Sequence, residues 1–344
     1  MQLPVRKLKR ADLTLSEIGF GASVMGNLYR AMADEEARAT LDAAFDGGFG
    51  YIDTAPHYGR GLSERRVGDA VRGRDNIVVS TKVGRILAPD PSIRDGRERD
   101  CFFSNMPFSA SYDYSHDAIL RSHEASLHRL GLARVDLLLV HDIGRMTHGD
   151  RHAFHWDQLT RGGGFDALRK LRDQGVIAGF GLGVNETEVA MDAIRAADLD
   201  VLLLAGRYTL LEQGALDTLL PACLEANVSV IVGGPYNSGI LASDGDGGTA
   251  HYNYAPAPPA VIERVGEIRQ IARSHGVPLA AAALQFPLAH PAVVSVAPGL
   301  GSTEQVSDTL RLYRHLIPAA FWAELRQAGL IRPDAPVPAG GQAH

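Results

Sequence analysis

Eight short apolar runs recur along the 344-residue chain, with amphipathic helical patterns between them. They cover residues 18–21, 51–54, 77–81, 136–141, 178–184, 201–204, 229–233 and 293–297, and each is rich in Val, Ile and Leu. None alternates apolar with polar residues, as a strand with one wet face would. Continuous apolar runs of this length are the mark of strands buried on both faces, which is how parallel sheets covered by helices read. The intervening helical patterns span 34–46, 115–130, 165–174, 186–197, 216–226, 259–275 and 303–313; several end at a glycine, such as Gly47, Gly131 and Gly175.

Eight strand–helix units in about 300 residues predict an α/β fold, a single (β/α)8 TIM barrel over residues 1–331. The Pro- and Gly-containing tail, 332–344, is expected to be disordered. Three segments are too long for the repeat: 85–114, 142–164 and 242–258, following the third, fourth and seventh runs. All three leave the C-terminal ends of strands, the face where barrels build active sites, so extended loops are predicted there.

Composition removes other classes. Lys+Arg number 34 and Asp+Glu 40, a formal net charge of −6, with no long basic run, so nucleic acid is not an expected partner. No stretch approaches the length of a membrane span, and the N-terminus lacks the apolar core of a signal peptide. Two cysteines, Cys101 and Cys223, cannot form a disulfide framework, and a cytoplasmic location is expected. The expected partner is a small-molecule substrate; no pattern reports an oligomeric state.

Polar residues interrupt three neighbouring apolar runs at their mouth ends. Asp53 closes the second run, Lys82 follows the third, and His141 ends the fourth. Taken singly, each has a plain reading: a turn cap, a snorkelling strand end, a hydrogen-bonded core histidine. Together, with Tyr58 five residues beyond Asp53, they form a chemically coherent set. A tyrosine ordinarily ionises near pH ~10, and an adjacent ammonium lowers that value. Asp53 would pair with and orient Lys82, and His141 would hold a substrate oxygen from the other side. Such a tyrosine is a general acid or base for carbonyl and alcohol chemistry, and no hydrolase-type nucleophile accompanies it, so hydride transfer with a bound cofactor fits best.

A second signal follows the eighth run. In 298–302, PGLGS, Ser302 with Gln305 three residues on reads as a capping box, and the free N–H groups of such a helix start suit a phosphate.

These stretches resemble the aldo-keto reductase family. GFGAS at 19–23, DTAPHYG and SERRVGDAV within 53–71, STK at 80–82, RLGLARVDLLLVHD at 129–142 and PGLGSTEQV at 298–306 fall in that family's order. The resemblance spans roughly residues 5–330. It implies a nicotinamide cofactor and a catalytic set of Asp53, Tyr58, Lys82 and His141. AGRYTLLEQ at 205–213 and VGGPYNSGIL at 232–241 are most similar to the family's aldose 1-dehydrogenases, with pyridoxal dehydrogenases as near relatives. The resemblance further implies cofactor contacts at Gly21, Asn185, Gly233, Pro235, Asn237, Gly299, Gly301, Ser302 and Gln305. Three positions depart from the family pattern. The Ser-Asn pair that holds the carboxamide is Val184-Asn185, the Gln beside it is Ala205, and the Tyr that stacks on the ring is Gly233. The ring is then expected to rest against Tyr236 or another loop. The cation that pairs with the 2′-phosphate of NADP in many members is here Gly301, so NAD is expected in preference to NADP.

Arg207 and Tyr208, just past the sixth run, are expected to point at the mouth and touch substrate or cofactor. Trp156 and the pair Phe102-Phe103 are either substrate walls or loop packing. His148, His152 and His155 have a spacing that could ligate a metal, but surface histidines are the plainer reading, and no metal site is expected. A metal-dependent barrel hydrolase would need a ligand pair on the first strand, where this chain has IGFG. A non-catalytic cofactor-binding barrel is the remaining alternative.

Overall fold

The computed structural model describes residues 3–242, 251–253 and 255–339. Its core is one parallel sheet of eight strands: β1 Phe20–Gly21, β2 Tyr51–Asp53, β3 Val78–Val83, β4 Leu137–His141, β5 Gly179–Val184, β6 Val201–Ala205, β7 Ser229–Gly233 and β8 Val293–Ala297. They lie side by side in chain order, and bridges from Ile18 to Val296 and from Gly21 to Gly299 join the two edges. The result is the expected barrel. No helix among the described residues is long and apolar enough to cross a membrane.

The packing explains why the strands do not alternate. Along β4, Leu137 and Leu139 belong to an inner cluster with Tyr51, Val201, Leu203 and Ile231, while Leu138 and Val140 pack outward with the helices. Both faces of the strand are dry, so both must be apolar. The inner cluster also takes in Leu8, Ala11 and Leu15 of an N-terminal hairpin, Val5–Lys7 paired with Thr14–Ser16. This hairpin was not anticipated: its three-residue strands are too short to carry a periodic signal.

Helices follow close to their expected limits, as in Asp34–Asp46 and Thr303–Tyr313. The first has no side-chain cap. Ala33 is the N-cap residue, and Asp34 instead pairs with Arg65 and Arg66 at 2.6 and 2.8 Å. Helix Leu62–Val71 carries the SERRV motif and ties two mouth loops together. Ser63 bonds Thr54 and Ala22 O; Arg66, buried, donates to Met25 O, Met32 O and the Asn27 side chain.

The long segments are built rather than loose. Residues 85–114 form a hairpin, Arg85–Pro89 with Phe108–Tyr112, plus the small ribbon Glu98–Arg99 with Phe102–Phe103. Segment 142–164 coils into Arg145–His148 and His152–Leu159. Of 242–258, residues 243–250 and 254 lie outside the described residues. The tail departs from expectation as far as Ala339. Ala335 is buried, Arg326 donates to its carbonyl, and the Arg332 amide donates to Gln213, so this part of the tail packs on the barrel. Residues 340–344 lie outside the described residues.

Candidate active site

Because strand side chains alternate, the inward positions nearest the mouth form one row. On β2–β4 that row is Asp53, Lys82 and His141; on β5–β8 it is Gly183, Ala205, Gly233 and Ala297. One half of the mouth therefore carries polar groups and the other is floored with small residues.

Lys82 is 1 % exposed and its ammonium makes three contacts. Nζ lies 2.5 Å from Asp53 Oδ2, 3.0 Å from Thr54 O and 3.1 Å from the Tyr58 hydroxyl. Asp53 is completed by the Ser80 hydroxyl at 2.7 Å, itself bonded to Tyr51 at 2.8 Å. A buried ion pair persists only when its remaining hydrogen-bonding capacity is met; here Ser80, one inward position below Lys82, serves Asp53, and the turn after β2 serves Lys82 through Thr54 O and Tyr58. Tyr58 sits on the turn after β2, and a close approach behind that turn requires a glycine. A β-carbon on Gly26 would fall 2.5 Å from the Tyr58 carbonyl carbon.

The His141 ring stands edge-on to Tyr58 with centroids 5.8 Å apart. Burial, then the cations of Arg85 and Lys82, hold its pKa well below the ordinary histidine value, so the ring is neutral. Its Nδ1 is buried without a partner among the described residues. Asp142 Oδ2 lies 3.4 Å from Nε2, and Arg85 clamps that carboxylate at 2.6 Å. Behind the ring, Tyr114 donates to the His141 carbonyl at 2.8 Å.

Several residues at this site were not singled out from the sequence. His57 packs against His141 and Phe102 with centroids at 5.9 and 5.2 Å, and burial with nearby Arg85 and Arg60 drives its pKa down to about 3. Phe102, from the long segment after β3, is buried and stacks on Tyr58 at 6.0 Å. Arg85 gave no signal beyond its place in a long polar segment.

Other expected residues divide. The Asn185 carbonyl accepts from Arg207 at 2.8 Å, and both line a hollow of about 330 Å³ at the β5–β6 end of the mouth. Tyr208 is a correction: it is fully buried, packed on Phe286 and His290 in the helical layer, facing away from the mouth. The chain reverses at Gly206, whose φ is +65°, and that turn carries Tyr208 outward. Trp156 packs on His152 and Phe165, within its own loop and the helix beneath it. Asn237 is buried with its side chain committed to Gly206 O and Thr209, so it braces the β6 and β7 turns; Pro235 is buried beside it. Gly21 lies in the seam that closes the barrel, its N–H donating to Pro298 O at 2.9 Å. Of the three loop histidines, His148 and His155 pack ring on ring with centroids 4.2 Å apart, and each of the three has its own hydrogen-bond partner: His148 with Tyr114, His152 with Ile143 O, His155 with Gln158.

At the start of helix Thr303–Tyr313, Ser302 accepts from the Gln305 amide at 3.2 Å. The Gln305 side chain folds back to accept from Gly301 N–H at 2.7 Å, while Gly299 is exposed at the lip. PGLGSTEQV contains no cation, yet Arg30, from the loop after β1, donates to Gly301 O at 3.0 Å.

These features suit a nicotinamide dinucleotide. The small-residue half of the mouth leaves room for a flat ring beside Tyr58, the Nδ1 of His141 is an orphaned polar atom there, and a capped helix start lies at the far end for phosphate. Chemically, the site can move a proton through Tyr58 and hold an oxygen between Tyr58 and His141.

Residues 17–329 match the model of the aldo/keto reductase family. The chain is 44% identical to a pyridoxal 4-dehydrogenase of Microbacterium luteolum, covering 95% of this chain and 97% of that one. It is 41% identical to a D-threo-aldose 1-dehydrogenase of a Pseudomonas species, covering 93% and 96%. Among solved structures, the holo form of the aldo-keto reductase AKR11C1 from Bacillus halodurans superposes with a TM-score of 0.73 at 25% identity, covering 96% and 97%.

Proposed function

Because this chain belongs to the aldo/keto reductase family, whose enzymes use nicotinamide cofactors, we propose that it is a dehydrogenase oxidising the anomeric carbon of free aldoses of the L-fucose, D-arabinose and L-galactose type to lactones, with NAD preferred over NADP. The observation that carries this reading is the single ammonium of Lys82, bonded at once to Asp53 and to the Tyr58 hydroxyl.

When bound, the nicotinamide supplies the hydride acceptor. Tyr58 takes the proton of the anomeric hydroxyl. Lys82 lies 3.1 Å from its oxygen and favours the phenolate, while Asp53 fixes the direction of the ammonium. His141, neutral, orients the hydroxyl by a hydrogen bond. With the cofactor bound, Asn185 would hold the carboxamide, and the loop of Gly299, Gly301 and Ser302 with the helix start it leads into would hold the phosphates. The absence of a cation within PGLGSTEQV supports NAD. Arg207 reaches substrate from the β6 side.

A second reading, oxidation of pyridoxal, is favoured by the rings of His57 and Phe102 that flank Tyr58 and by the 44% identical relative. A screen of NADH formation over L-fucose, D-arabinose, L-galactose and pyridoxal tests both. Turnover of the aldoses at higher kcat/KM supports the first, turnover of pyridoxal alone supports the second, and turnover of none overturns both.

A further inference from the structure

Arg30 and Glu36 lie 271 and 265 residues from Gly301 in sequence, yet the fold gathers all three at the phosphate loop. Arg30 Nη2 donates to Glu36 Oε1 at 2.5 Å and to Gly301 O at 3.0 Å, and Nη1 reaches Glu36 Oε2 at 3.3 Å. The contact is bidentate, the geometry in which a guanidinium best matches a carboxylate. The loop that presents Arg30 is anchored from beneath, because the buried Arg66 donates to Met25 O, Met32 O and Asn27. Glu36 opens helix Asp34–Asp46, so its backbone is fixed as well. Both side chains remain open to solvent.

We infer that Glu36 sets the choice between NAD and NADP by holding Arg30 in an ion pair over Gly301, so that the cation nearest the phosphate loop is already neutralised. This deepens, and rests on, the reading of an NAD preference. The argument is one of charge balance. Gly301 offers no cation of its own, and Glu304 adds a second carboxylate to the same loop end. Arg66 also acts on Glu36 but is paired with Asp34 at 2.8 Å, which leaves Arg30, Glu36 and Glu304 at the loop end with a net charge of −1. A ribose hydroxyl is indifferent to that field, whereas a dianionic 2′-phosphate is repelled and finds the guanidinium that touches the loop already engaged. The same Arg30, released from Glu36, would be a forked donor positioned at that loop.

The test is the dissociation constants of NADH and NADPH, measured by fluorescence titration on wild type, Glu36→Gln, Arg30→Gln and the double variant, with no substrate present. Wild type is expected to bind NADH at least about 10-fold tighter than NADPH. Glu36→Gln is expected to tighten NADPH by about 3- to 10-fold and leave NADH within about twofold, an effect sized for a solvent-exposed charge. Arg30→Gln in the same chain should erase that gain, and raised salt should shrink it. A gain below threefold in Glu36→Gln, or one that survives in the double variant, overturns the role of the pair while the NAD preference stands. Wild type that binds NADPH as tightly as NADH or tighter overturns the NAD preference itself and the pair's role with it.

Discussion

A β-carbon placed on Gly183 would lie 2.9 Å from Cε of Lys82, across the intervening strand β4. The Lys82 side chain is flexible in principle, but its ammonium is pinned by Asp53, Thr54 O and Tyr58, so it cannot yield without loosening one of them. Gly183→Ala is therefore expected to lower kcat by on the order of 10- to 100-fold, because sub-ångström misplacement of a catalytic group is enough for that. Gly183 also belongs to the floor offered to the ring, so a titration with NADH beside the kinetics separates displacement of Lys82 from weakened cofactor binding.

Tyr58→Phe removes the proton acceptor and leaves the ring. Turnover should fall by roughly 10²- to 10⁴-fold, the range of a general acid–base group, while NADH binds as before. Near-full turnover in this variant would falsify the assignment of Tyr58.

Asp53→Asn leaves a buried ammonium without its counter-charge. Breaking one partner from a buried pair typically costs about 3–5 kcal/mol, so a clear drop in thermal midpoint is expected together with lost activity. Lys82→Met leaves the buried Asp53 carboxylate with only its bond from Ser80, so a comparable drop in thermal midpoint is expected. Its kcat–pH profile should move to higher pH as the phenolate loses its neighbouring cation. An unmoved profile counts against Lys82 as the tuning group.

The histidines of the mouth make stability depend on pH in one direction. His57, at about 3, and His141, well below its ordinary value, stay neutral in the folded chain but ionise near pH ~6.5 when unfolded. The unfolded state thus binds more protons below that point. Stability is full above about pH 6.5 and declines as pH falls toward the folded values. Thermal midpoints measured from pH 7.5 down to 5 should decrease, and His57→Asn should flatten part of the slope. A midpoint that rises on acidification contradicts this.

Tyr208→Phe tests the reassignment of that residue. Its hydroxyl is buried with no partner among the described residues, so removing it should leave stability unchanged or raise it by up to about 1 kcal/mol. KM and kcat should not move, since the ring faces Phe286 and His290. A KM that rises severalfold would return Tyr208 to the site.

The barrel was legible in the sequence because strands dry on both faces must be continuously apolar, and eight such runs alternating with helices in about 300 residues fit a closed parallel sheet. Asp53, Lys82 and His141 were legible for the same reason: a polar residue at the end of such a run stands out against its neighbours. SERRV was visible only as a family motif. Its physical role, binding the β1 and β2 loops together through Ser63 and Arg66, needed coordinates.

What the tertiary structure alone decided is direction and proximity. Tyr208 sits three residues past the end of β6, and nothing local encodes that the turn at Gly206 sends it outward. Arg85 and Asp142 meet across 57 positions beside His141, and Arg30 reaches Gly301 across 271. Hydrophobic periodicity reports which residues leave water, a property each residue carries along its own strand or helix. Pairings between loops depend on how the barrel closes, so the Lys82 row could be read from the sequence, whereas the cation over Gly301 could not.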